Sequence, residues 1–183
     1  MKISRLSKLS DAMHGHQLVR FSSRFENSTV RGYVLGIGPQ FFLLSVVSDR
    51  IWFDGFECFR ARDVRNLRPD PYTAFAETAL RKRGERKPKK PRVSVASVQD
   101  ILVSASRAFP LVTIHLEHID PSVCYIGRVV GVEKRRASLL QIDPHARWEE
   151  KPTEYLLSQI TRVGFGADYE DALNIAGKDL KSG

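Results

Sequence analysis

FFLLSVVSDRIW, residues 41–52, has an echo in ASLLQIDPHARW, residues 137–148. Each has a Leu-Leu pair, a polar connection and one of the chain's 2 tryptophans. Trp52 and Trp148 stand 96 positions apart. At that offset FLLSV (42–46) lies over SLLQI (138–142), Phe59 over Tyr155, Val64 over Ile160 and Leu67 over Val163. One position less sets Gly32-Tyr33-Val34-Leu35-Gly36-Ile37 on Gly127-Arg128-Val129-Val130-Gly131-Val132. Identities are few, yet self-similarity at a fixed period marks repeated units. The chain therefore reads as an internal duplication, with chance matching of strand patterns as the competing account.

The order of elements around these stretches repeats as well. Ile3, Leu6, Leu9 and Met13 mark a first helix that stops at Gly15. Ser97 with Asp100 forms a capping box, and Val98, Ile101, Leu102 and Ala105 give the second half's opening helix one apolar face. Each helix leads into an alternating strand, LVRFSSRF (18–25) and LVTIHLEHI (111–119). Next come a glycine-bearing strand, a tight turn (Gly38-Pro39-Gln40; Glu133-Lys134-Arg135-Arg136) and the Leu-Leu strand. Two short strands close each set, ECFRARDV then RNL, and EYLLSQI then TRVGF. Each half ends in a helix. Asp70 caps the first, with Pro71 at its first position and Tyr72, Phe75, Ala76, Ala79 and Leu80 on one face. Asp168 caps the last, whose stripe is Tyr169, Ala172, Leu173 and Ala176 and whose stop is Gly177.

Five short antiparallel strands bury an apolar face best by curling, and glycines such as Gly32, Gly36, Gly127 and Gly131 permit the bends. The expected fold class is mainly β with flanking α-helices (α+β): two tandem five-stranded small barrels, roughly 15–69 and 110–166. The expected domains are residues 1–80, a basic linker at 81–92, and residues 93–183. This order, a helix and five strands with glycine in the second, resembles the Sm-like small barrel, a relative of SH3-like barrels. The resemblance covers both halves and implies RNA binding and edge-to-edge ring assembly. The family's Asp-x-x-Met-Asn turn has no counterpart in Gly38-Pro39-Gln40-Phe41 or Glu133-Lys134-Arg135-Arg136. Its later Ile/Val-Arg-Gly tract has only an echo in Val64-Arg65-Asn66, and Ile160-Thr161-Arg162 departs further. The implied fold carries over; the implied RNA pocket does not. The ending ITRVGFGADYEDAL also resembles small uncharacterised bacterial proteins, which supplies no activity.

The chain has 183 residues, 42% of them hydrophobic, and a net charge of +8. Charge is unevenly placed: +3 over residues 1–80, +7 over 81–92 and −2 over 93–183. RKRGERKPKKPR (81–92) thus carries most of the basic character. It reads either as a solvated tether, reaching ~20 Å if flexible and about 37 Å as polyproline II, or as a grip on phosphates. In the second reading the binding residues are Arg81, Lys82, Arg83, Arg86, Lys87, Lys89, Lys90 and Arg92, with Arg60 and Arg62 on the one basic strand of the first half. Arg65, Arg68 and the tip Lys134-Arg135-Arg136 extend the patch.

Little else points to chemistry. His14 and His16 lack a third metal ligand, and His115 and His118, three apart on a strand, face opposite ways. Gly36-Ile37-Gly38 lacks the third glycine of a dinucleotide loop. Asp54 and Glu57 read as turn carboxylates, and Trp52 and Trp148 as lids on a core or as base-stacking platforms. Cys58 and Cys124 fit a reducing cytosol, with a single disulfide left open. No apolar run nears the ~20 residues of a membrane span, and MKISRLSKLSDAMHGH has no apolar leader core. The expectation is a cytoplasmic, non-enzymatic nucleic-acid-binding module, RNA favoured over DNA. It needs no cofactor, no metal, no membrane and no small-molecule substrate. A protein-interaction or assembly module, homo-oligomeric through barrel edges, is the alternative; there the basic segment only tethers.

Overall fold

The computed structural model describes residues 5–179, so Ile3, assigned above to the first helix, lies outside the described residues. The first half runs α1 (Arg5–His14), β1 (Leu18–Ser23), β2 (Thr29–Ile37), β3 (Phe41–Val47), β4 (Phe53–Arg60), a 3-10 turn (Ala61–Asp63), β5 (Val64–Pro69) and α2 (Thr73–Lys82). The second runs α3 (Val98–Ala108), β6 (Val112–His115), β7 (Cys124–Val132), β8 (Arg136–Gln141), β9 (Thr153–Leu156), a 3-10 turn (Leu157–Gln159), β10 (Arg162–Phe165) and α4 (Asp168–Asp179). Among the described residues no helix is long and apolar enough to cross a membrane.

The fold is mainly β with four described helices, but the strands do not form two separate sheets. All ten join one antiparallel sheet in the order β5-β1-β2-β3-β4-β10-β6-β7-β8-β9, which does not close. The reason lies in two edges. β5 turns back beside β1, and β10 turns back beside β6, so β4 and β10 each have an unpaired row of backbone groups. Pairing β4 with β10, from Phe59 opposite Arg162 to Phe56 opposite Phe165, satisfies both rows.

The ladders of the two halves match residue by residue. Val19 faces Gly32, and Val112 faces Gly127. Tyr33 faces Ser45, and Arg128 faces Leu140. The β2–β3 register shifts between Val34 and Gly36; the β7–β8 register shifts between Val129 and Gly131, the same place. The structure also corrects the alignment anchored on the tryptophans. Ser48 N–H donates to the Trp52 carbonyl, and Asp143 N–H donates to that of Arg147. Ile51 and Ala146, with φ of 60° and 59°, occupy the same left-handed position one residue earlier. Trp52 therefore matches Arg147, Trp148 matches Phe53, and Leu44, not Leu43, matches Leu139.

Four more expectations shift. α2 begins at Thr73, not at Pro71; Asp70 still holds its start, accepting from the Tyr72 N–H at 2.7 Å. Its outer residues Tyr72 and Phe75 are 59% and 63% exposed, and only Ala76 and Leu80 are fully buried. α4 turns Glu170, Leu173, Asn174 and Gly177 inward and leaves Tyr169, Ala172 and Ala176 outside. The Glu170 carboxylate anchors that face, accepting from the Thr113 hydroxyl (2.5 Å) and the Ala167 N–H (3.1 Å). Gly177 sits inside α4 and does not stop it; its carbonyl accepts the Trp148 indole N–H, and a methyl group there would press on the Ile142 side chain. Ser97 caps α3 as expected, its hydroxyl accepting from the Asp100 N–H, but the Asp100 carboxylate takes the Ser97 hydroxyl and not the Ser97 N–H, so only half of the capping box forms.

One core joins the halves. Phe41, Leu43 and Cys58 of the first half pack with Ile101, Leu102, Ile114 and Val163 of the second. A second core under α1 holds Leu9, Phe21, Phe42, Leu44 and Phe59, with Phe21 and Phe59 edge to face at 5.0 Å.

Candidate nucleic-acid interface

The basic segment is laid along the first half as a strap. Arg83, just past α2, stacks on Trp52 at 4.6 Å and donates to the Ile51 carbonyl at 2.9 Å. The Lys87 ammonium lies 4.1 Å over the Tyr33 ring and 3.4 Å from Glu77. Lys90 lies against Gly36, where a methyl group would meet its side chain at 3.2 Å. Val93 and Val95 then enter the shared core. The Val95 carbonyl packs on Gly38, at the β2–β3 turn, so closely that no side chain fits there. The strap thus follows β2 from its middle to its end.

Among the ten residues assigned from the sequence, Arg81, Lys82, Arg86, Lys89 and Arg92 are exposed along this course. Arg83, Lys87 and Lys90 are exposed too, but each also lies against the first half. Arg60 has a different fate. It is 8% exposed, lies 5.6 Å from the Phe41 ring centre, and donates to the Ser158 carbonyl at 2.8 Å, across the seam. Burial first, and the Arg62 charge second, hold it below the usual guanidinium range, against the pull of Asp63. Arg62 is exposed.

Both residues nevertheless line a cavity of about 420 Å³ with Arg5, Pro39 and Gln40. Arg5, which the sequence did not single out, donates to the Arg62 carbonyl at 2.9 Å. The Ala61 N–H donates to Gln40, and in the second half the Leu157 N–H donates to Arg135. Arg60 bound to Ser158 ties these two turn regions together, so the exposed Lys134, Arg135 and Arg136 share the end that holds Arg5 and Arg62. Arg136 is paired there with Glu154 at 2.6 Å. Arg65 and Arg68 lie exposed on the outer strand β5.

The carboxylates read as turn residues are seam residues. Asp54 accepts from the Asp168 N–H at 3.0 Å, at the start of α4. Glu57 pairs with Arg162, whose guanidinium also lies 3.9 Å from Glu117 and 4.9 Å over the Phe59 ring. Burial, and secondly the Arg162 charge, push His115 down to about 3, so it is neutral at pH 7. Burial raises the Glu117 carboxyl above its ordinary range, against the Thr161 hydrogen bond and the Arg162 charge. Among the described residues no group of three His, Cys, Asp or Glu is placed to hold a metal ion, and Cys58 and Cys124 are free thiols. No protein-family model matches the chain, and no curated protein and no solved structure matches it.

Proposed function

We propose that the chain is a non-enzymatic nucleic-acid-binding module of the cytoplasm, with RNA the favoured ligand. Each half is read as an Sm-like small-barrel unit, opened along the shared seam. The return of β5 to β1 and of β10 to β6 supports that reading. One observation carries the function: the basic segment keeps one course along β2, between Arg83 on Trp52 and the buried Val93 and Val95. Cations held in a row lose less freedom on meeting a phosphate chain than cations on a loose tether. The arginine-lined cavity of Arg5, Arg60 and Arg62 gives the same strand a second contact.

Fluorescence anisotropy with a labelled single-stranded RNA tests this. Arg81, Lys82, Arg86, Lys89 and Arg92 are changed together to serine, leaving the strap contacts of Arg83 and Lys87 intact. About five neutralised phosphates give a log K against log salt slope of about −3.5 for a single strand. The variant should lose most of that slope. No binding by the unaltered protein at low salt rejects the proposal.

The assembly reading keeps one specific support. β5 and β9 each pair on one side only, and β5 shows Arg65 and Arg68 while β9 carries Glu154. Such unlike edges suit head-to-tail contact. Pro69 within β5 and Pro152 just before β9 shorten what either edge offers. Light scattering that shows a salt-resistant oligomer, without RNA binding, would favour this reading.

A further inference from the structure

Between the strap and β2 lies a cavity of about 580 Å³, within the range of small-molecule sites. Met13 from α1, Tyr33 and Leu35 from β2, Ser45 from β3, and Lys87 and Lys90 from the strap line it. The walls are largely apolar, and two ammonium groups stand on the strap side. Lys90 has no carboxylate within ion-pair distance among the described residues, while Lys87 is shared between Tyr33 and Glu77.

Ser45 is the telling residue. It is 1% exposed, and its hydroxyl has no hydrogen-bond partner. Buried hydroxyls normally find one, because desolvation without a partner is costly. The fold does not require a hydroxyl at this place. In the matching register position of the second half, opposite Arg128 instead of Tyr33, stands Leu140. The serine is therefore specific to the half that carries the strap.

We infer that this cavity binds a small anion of mononucleotide size. A flat heteroaromatic body lies against Met13, Tyr33 and Leu35. An acceptor on that body takes the Ser45 hydroxyl, and a phosphate meets Lys87 and Lys90. Reaching Ser45 requires the strap or the Met13 side chain to give way slightly, since the hydroxyl is shut off from solvent. The site does not rest on the nucleic-acid reading. The serine variant described above leaves Lys87, Lys90 and Ser45 unchanged, so the two proposals fail separately.

Isothermal titration with adenosine and uridine monophosphates, the two free nucleosides and decanoate tests the site. One equivalent of at least one monophosphate should bind, and its nucleoside should bind roughly tenfold more weakly or less. Lys87→Ala with Lys90→Ala should weaken the monophosphate by about tenfold or more. Ser45→Val, which removes the hydroxyl and fills space, should weaken it similarly without lowering the thermal midpoint. Should Ser45→Val unfold the chain, Met13→Phe blocks the same cavity from the half-buried end of α1. The inference is overturned if neither monophosphate binds at millimolar concentration, or if nucleoside and monophosphate bind equally. Decanoate binding more tightly than both monophosphates overturns it too, as does unaltered affinity in these variants.

Discussion

Arg162 reaches from β10 onto the face of Phe59, with Glu57 on one side and Glu117 on the other. Its side chain is 16% exposed and that of Glu117 only 3%. A buried ion group adds little net stability against an apolar substitute, but removing one member strands the others. Arg162→Met should therefore lower unfolding free energy by about 3 kcal/mol in urea titration. Glu57→Gln should cost less, because the amide oxygen can still accept from Arg162 and Glu117 still faces that charge. None of this was legible from the sequence. Glu57 reads there as a solvated turn acid because its partner lies 105 positions away. Arg60 hides a partner for the same reason: its place on a basic strand suggests a phosphate contact, and the Ser158 carbonyl to which it also donates belongs to the other half. Exposed residues such as Lys89 and Arg92 stand where composition placed them, because charge runs with prolines do not bury.

Elements were easier to read than their faces. The N-cap of α3 at Ser97 and the turn at Gly38 follow from local chemistry and form, whereas β6 buries Val112, Thr113 and Ile114 in succession instead of alternating. The tryptophan match failed because residue type is a weaker guide to register than backbone shape. Ile51 and Ala146 share a left-handed conformation, and that geometry fixes which residue follows. α4 rotated away from its expected stripe because Glu170 is drawn inward by Thr113, a partner no helical period can announce. The sequence leaves the segment as a tether or a phosphate grip, and nothing in RKRGERKPKKPR shows that it lies on Tyr33 and Gly36 and leads to Val95 on Gly38. Gly38→Ala tests how firmly it is held. A methyl group there would meet the backbone of Val95 and lift the strap. The variant should lose about 2 kcal/mol and be cut faster by trypsin after Lys89 and Arg92.

At the scale of the whole molecule, the repeat does not make two independent domains. Phe41, Leu43 and Cys58 complete the core under α3, and β4 supplies a hydrogen-bond partner for β10. Residues 1–92 and 93–183 made as separate chains should each fold poorly. The intact chain should melt in a single transition by circular dichroism and by tryptophan fluorescence. Two resolved transitions would mean that the seam is weaker than its contacts suggest. The position of Cys58 gives this arrangement a clock. The residue is 0% exposed, with Leu43 on one neighbouring strand and Val163 on the other, and burial raises its thiol well above the usual range. Cys124 is exposed at the start of β7. An alkylating reagent should consume one thiol per chain promptly and the second only as often as the halves part, so the slow phase counts seam openings in unperturbed protein.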